Sequence, residues 1–119
     1  MSPHDEPTAQ QLLESVREWM ERDLLAGTTG RLHFHTRVAI NVLAMVEREL
    51  DLGPRQAVAH GVRLAALGLP DDAALAAAIR SGEITDDPQT AAAVRDAVLE
   101  SVRAKLRVAN PKYLTDDPA

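Results

Sequence analysis

The 119-residue chain has no cysteine. That excludes a disulfide scaffold, a thiolate nucleophile and any cysteine-held zinc or iron-sulfur centre, and it suits a reducing compartment, so a cytoplasmic location is expected. Aromatic residues are also scarce, with one Trp, one Tyr and one Phe. A lone Tyr113 cannot build an aromatic cage, and so thin an aromatic content argues against a sheet, whose strands favour aromatic and β-branched residues. No apolar run approaches the ~20 residues of a membrane span. The longest, Val38 to Val46, is too short and carries Asn41, and the opening residues are polar and acidic where a secretory signal would be basic and then apolar. Basic charge is short as well: 13 Lys and Arg against 18 Asp and Glu give a formal net charge of −5. This balance repels phosphate backbones and anionic lipid, so neither nucleic acid nor a membrane is an expected partner.

What the chain does have is Ala, Leu and Val, which supply most of a hydrophobic fraction of 45%. Ala is the strongest helix former, so an all-α fold is expected: a small bundle of about five helices in one domain over residues 1–119, with 1–7 and 115–119 as flexible tails. The preference for Arg over Lys beside abundant Ala points to a GC-rich bacterial genome.

Capping residues set the expected boundaries. Thr8 with Gln11 three residues later forms a capping box for a first helix carrying Leu12, Leu13, Val16, Trp19, Met20 and Leu24 on one arc. Gly27 and Gly30 mark a turn. A second helix runs from about Arg31 to Leu52, with Phe34, Val38, Val42, Met45 and Val46 in a wide apolar arc, and stops at Gly53-Pro54. A third is expected from about Pro54 to Leu67, ended by Gly68 and Pro70. Asp71 or Asp72 caps a short fourth that closes at Ser81-Gly82. Asp87-Pro88 opens the last helix, which Asn110-Pro111 stops.

Arg31, His33, His35, Arg37 and Asn41 form the densest polar cluster. Histidines at i and i+2 project about 200° apart on a helix, so His33 and His35 do not share a metal, and no metal site or cofactor is expected. His35 lies in the middle of the apolar arc, where a core histidine with satisfied hydrogen bonds is favoured over a ligand-contacting or acid-base one. His33, Arg37 and Asn41 read as a solvated stripe before they read as a site. Arg95 falls within the apolar arc of the last helix and Asp23 within that of the first, which makes Asp23 a candidate ion-pair partner for a cation such as Arg95 or protonated His35. No Gly-x-Ser-x-Gly elbow, P-loop ending or His-Glu-x-x-His helix occurs, so no catalytic residue is assigned.

Three blocks resemble an uncharacterised bacterial family, the domain of unknown function numbered 6285. They are Pro7-Thr8-Ala9 with Leu12 to Glu18; Phe34-His35-Thr36-Arg37-Val38-Ala39 with Asn41 and Glu47-Arg48-Glu49-Leu50; and Ala78-Ile79-Arg80-Ser81-Gly82 with Asn110-Pro111-Lys112-Tyr113. The resemblance implies no activity, cofactor or catalytic residue. It implies a companion of other enzymes, because members are encoded beside aminoglycoside-phosphotransferase-like kinases and acyl-CoA dehydrogenases. The leading expectation is therefore a non-catalytic accessory or protein-interaction module that binds such an enzyme or forms a homodimer. The alternative is a site between helices for an anionic small molecule, with His35, Arg37 and Asn41 supplying polar contacts and Arg31 or Arg95 attracting the charge.

Overall fold

A computed structural model describes residues 5–84 and 86–116, the side chains of 115 and 116 excepted. Among them all regular structure is helical, as the composition requires: α1 (Ala9–Trp19) continuing into a π-helical turn (Met20–Leu24), α2 (Gly30–Ala66), α3 (Asp72–Ser81), α4 (Pro88–Ala109) and a 3₁₀ helix (Pro111–Asp116). The α-helices therefore number four, where about five were expected. Of the expected tails, residues 1–4 and 117–119 lie outside the described residues, and the 3₁₀ helix takes in the start of the second.

The difference in count comes from Pro54. Gly53-Pro54 reads locally as a stop, yet α2 runs through it. Proline's φ is helical, and what it removes is one hydrogen bond to the carbonyl four residues back. Tertiary contacts on the following turns offset that loss. Gln56 Nε2 donates to the Ala104 carbonyl at 2.8 Å, and Leu64 is buried.

The other boundaries follow their caps. Thr8 Oγ1 accepts from the Gln11 N–H at 3.1 Å while Gln11 Oε1 accepts from the Thr8 N–H at 2.8 Å, which completes the capping box. Asp71 and Asp87 cap α3 and α4 through the N–H groups of Ala74 and Thr90. Gly68 and Gly82 hold φ of 76° and 80°. After α2, the Gly68 N–H bonds to the Ala65 carbonyl and the Leu69 N–H to that of Leu64, a Schellman arrangement in which Leu69 packs back on the core around Leu64.

The chain divides into two compact units, one up to Leu52 and the other from Gly53 on. In the first, α1 and the amino-terminal part of α2 meet along a narrow seam. Arg17 on α1 donates from Nε to Glu47 Oε2 at 2.5 Å and from Nη2 to Oε1 at 3.2 Å, and reaches Glu21 at 3.0 Å. Among the described residues, those buried in this unit are Thr36, Ile40 and Glu47. Thr36 satisfies its hydroxyl on the Leu32 carbonyl at 2.7 Å. In the second unit, Leu64, Leu75 and Val94 form an apolar cluster with Leu67, Leu69 and Ile84 packed against it, and Ala78 and Ala97 are also buried.

The buried seam of α2 corrects the expected orientation of the helix. Thr36, Ile40 and Glu47 face inward, which turns the wide apolar arc outward: Phe34 is 62% exposed, Val42 51% and Val38 43%. A helix packed against one neighbour buries one narrow strip, and here an ion pair and a threonine occupy it in place of the arc's centre.

Candidate functional site

The polar cluster at the start of α2 is arranged around the turn that precedes it. His33 Nδ1 lies 3.0 Å from both the Leu25 and the Thr28 carbonyl. Carbonyls only accept, so Nδ1 carries the proton and Nε2 is left to accept from Arg37 Nη2 at 3.3 Å. The ring thus ties the chain between α1 and α2 to the first turns of α2. Arg31 donates to His35 Nε2 at 3.4 Å, and Phe34 meets His35 edge to face at a centroid distance of 5.5 Å.

His35 is exposed, which corrects the expectation of a core histidine: it sits on the outward arc, away from Thr36 and Ile40. Arg31, Arg37 and Asn41 are exposed as well. Arg95 is exposed, because the buried face of α4 is set by Val94 and Ala97 and Arg95 projects about 100° from Val94. Asp23, in the first unit, is exposed too. The structure brings Arg31 to His35 and Arg37 to His33, and leaves Asn41 apart from both contacts, while Arg95 belongs to the second unit.

A different set of polar residues converges in the second unit. Gln56, His60 and Arg63 from α2, Asp72 from the first turn of α3, and Ser101 and Lys105 from α4 line a cleft of about 350 Å³. His60 Nε2 stands 2.7 Å from Asp72 Oδ1, and its Nδ1 stands 3.1 Å from Ser101 Oγ. Ser101 Oγ is in turn 3.0 Å from the Ala97 carbonyl. A hydroxyl has one proton. Given to Ala97, it makes Ser101 an acceptor from Nδ1–H, and with Nε2–H on Asp72 the ring is an imidazolium; given to Nδ1, it leaves a neutral ring protonated on Nε2. In either state both ring nitrogens are occupied and the Asp72 carboxylate has a partner.

A serine, histidine and aspartate in hydrogen-bonded sequence suggest nucleophilic chemistry, but Ser101 lies inside α4, where backbone N–H groups are committed to the helical ladder. No backbone pair at the serine is left to hold an oxyanion. Among the described residues, no three His, Asp or Glu side chains gather closely enough to hold a metal ion. The same residues contain no helix long and apolar enough to cross a membrane.

Residues 26–113 match the profile of a family described as a domain of unknown function, DUF6285. The chain belongs to that family. The match takes in α2, α3 and α4 and begins after α1, so of the three blocks that carry the resemblance it covers the second and third. No curated protein and no solved structure matches the chain significantly.

In this DUF6285 member both the α2 cluster and the cleft lie within the matched residues. His60, Asp72 and Ser101 escape a reading of local spacing because 12 and 41 residues separate His60 from its partners. One signal was present: Ser101 follows Val94 and Ala97 at i+7 and i+4 on a small-residue face, and His60 precedes the core residue Leu64 by four. A polar residue in register with a buried face needs a partner.

Proposed function

We propose that this chain is a non-catalytic helical interaction module that pairs with a second copy of itself through the outward face of α2. One observation carries the reading: Phe34, Val38, Val42 and Met45 form a continuous apolar stripe that remains exposed. Steps of about 100° per residue place the four within an arc of about 80°. Contiguous apolar surface of this kind marks an interaction site.

The occupant is argued from the charges that flank the stripe. Arg31 and Glu49 are both exposed, lie at the same angle as the stripe and stand 18 residues apart, about 27 Å along the helix. In an antiparallel twofold pairing centred at position 40, Val38 meets Val42 of the copy, Phe34 meets Val46, and Arg31 meets Glu49. Self-complementarity of this sort is what a twofold interface requires. A bacterial cytoplasm suits a chain without cysteine, and the accessory role implied by the resemblance would use the dimer as a platform for a phosphotransferase-type enzyme or an acyl-CoA dehydrogenase.

The second reading, a small-anion site around His35, Arg37 and Asn41 with Arg31 or Arg95, is less well supported. Arg37 already bonds to His33 of its own helix, and His35 and Asn41 stand exposed on the helix surface.

Size-exclusion chromatography with light scattering tests the pairing. The expected result is twice the chain mass at micromolar concentration, a monomer for Arg31→Glu, and a restored dimer for Arg31→Glu combined with Glu49→Arg. A wild-type monomer, or a dimer indifferent to these charges, overturns the reading.

A further inference from the structure

The cleft in the second unit has an electrostatic composition that the interaction reading does not use. Arg63 Nε is buried and has no hydrogen-bond partner. An unsatisfied guanidinium nitrogen in a folded chain is costly, and arginine is the side chain best shaped to hold a carboxylate or phosphate. Lys105 lines the same cleft from α4 and forms no ion pair among the described residues. Among the described residues Asp72 is the only carboxylate that lines the cleft, and His60 occupies it at 2.7 Å. Ser101 holds the far side of the His60 ring, so the ring stays turned toward Asp72. The one negative charge is thereby engaged while two positive charges are left for something else.

Shape narrows the occupant. Gly53, Ala57 and Ala104 supply small walls, and about 350 Å³ sits at the lower end of the range for small-molecule sites. We propose that this cleft binds a small organic anion, an anionic oxygen head on a short apolar body, with Arg63 and Lys105 holding the head and the His60–Asp72–Ser101 chain keeping the competing carboxylate occupied. The site lies on residues 53–105 and stands or falls independently of the pairing through Phe34 and Val42.

Nuclear magnetic resonance titration of the full chain tests it, with butyrate and inorganic phosphate as probes and butylamine as the cationic control. Saturable shifts for butyrate or phosphate, centred on Gln56, Arg63, Ser101 and Lys105 and absent for butylamine, are the expected result. Butyrate supported without phosphate assigns a carboxylate head, and the reverse assigns a phosphate. Arg63→Gln should weaken binding about tenfold, since a charge-assisted hydrogen bond is lost. Asp72→Asn should tighten it, because it removes the opposing charge while Asp71 still caps α3. No saturable shift at millimolar probe, or equal affinity in wild type and Arg63→Gln, would overturn the proposal.

Discussion

The two units of this chain solve the same packing problem in opposite ways. From Gly53 on, every buried side chain among the described residues is apolar, and the polar groups gather in a cleft. Up to Leu52, the buried residues among those described are Ile40, Thr36 and Glu47, the last paired with the half-buried Arg17, while Phe34, Val38, Val42, Leu12, Val16 and Trp19 are exposed. The second unit gains its hydrophobic stabilisation within itself. The first specifies how α1 and α2 meet through a directional contact and leaves its large apolar side chains exposed, and a partly buried ion pair is better suited to fixing geometry than to supplying net stability.

Core truncation breaks the comparison at its strongest point. Leu64 is 5% exposed and belongs to the central cluster of the second unit. Leu64→Ala should cost about 4 kcal/mol in denaturant unfolding, the transfer loss plus the cavity. Phe34→Ala, although it removes a larger side chain, should cost far less in a monomeric preparation because most of that ring is already in water. Equal losses for the two would mean that the apolar interior is not where the second unit's stability resides.

The seam of the first unit is expected to respond somewhat less. The Arg17 and Glu47 side chains are 22% and 11% exposed. Hydrogen bonding to Glu47 is the largest influence on the Arg17 guanidinium and raises its pKa further above an already high ordinary value, so the charge is permanent. Arg17→Ala leaves the largely buried Glu47 carboxylate without its partner and should cost about 2 kcal/mol, less than in a fully buried pair because water reaches Arg17. Replacing both residues, Arg17→Met with Glu47→Leu, should recover most of it, since no buried charge is left alone. Thermal melts of the two singles and the double give the coupling directly. Additive losses would show that the pair does not act as a unit.

Particular residues show how much of this was legible in the sequence. Thr8, Asp71, Gly82 and Asp87-Pro88 placed helix ends correctly because a cap is a local interaction between residues three or four apart. Pro54 misled because its cost is local while the compensating contacts, Gln56 to Ala104 and the burial of Leu64, are not. The apolar arc of α2 was recognisable, but which face is buried was not. Periodicity shows that Phe34, Val38 and Val42 share a side, and only the position of α1 and the reach of Arg17 decide that Thr36, Ile40 and Glu47 turn inward. For the same reason His35 reads as core from its neighbours in angle and is exposed in the fold. The cleft was hidden more deeply still. Ser101, His60 and Asp72 come from three helices, and nothing in their separations along the chain announces that they touch.

The smallest expected effect concerns the start of α4, and it sharpens the comparison because it belongs to the second unit alone. Asp87 Oδ2 accepts from the Thr90 hydroxyl at 2.8 Å and from the Thr90 N–H at 3.2 Å. Those bonds favour the ionised form, the hydroxyl's most, and hold the carboxyl below its ordinary range. A group whose folded pKa is depressed stabilises the fold above its unfolded pKa and loses that contribution as pH falls through the folded value. Asp87 therefore supports α4 at neutral pH, with the helix dipole acting in the same direction, and ceases to do so in acid. Its carboxylate is fully solvated, so the contribution is screened by salt and stays small. Asp87→Ala should lower stability near pH 7, and the difference between variant and wild type should shrink toward zero as the solution is taken below the ordinary carboxylate range. Amide exchange of α4 residues at two pH values measures this, with the amides around Arg17 and Glu47 as the internal reference. An Asp87→Ala difference that persists in acid would assign the residue's role to shape and not to charge, and a matching change around Arg17 would show that the two units do not respond separately.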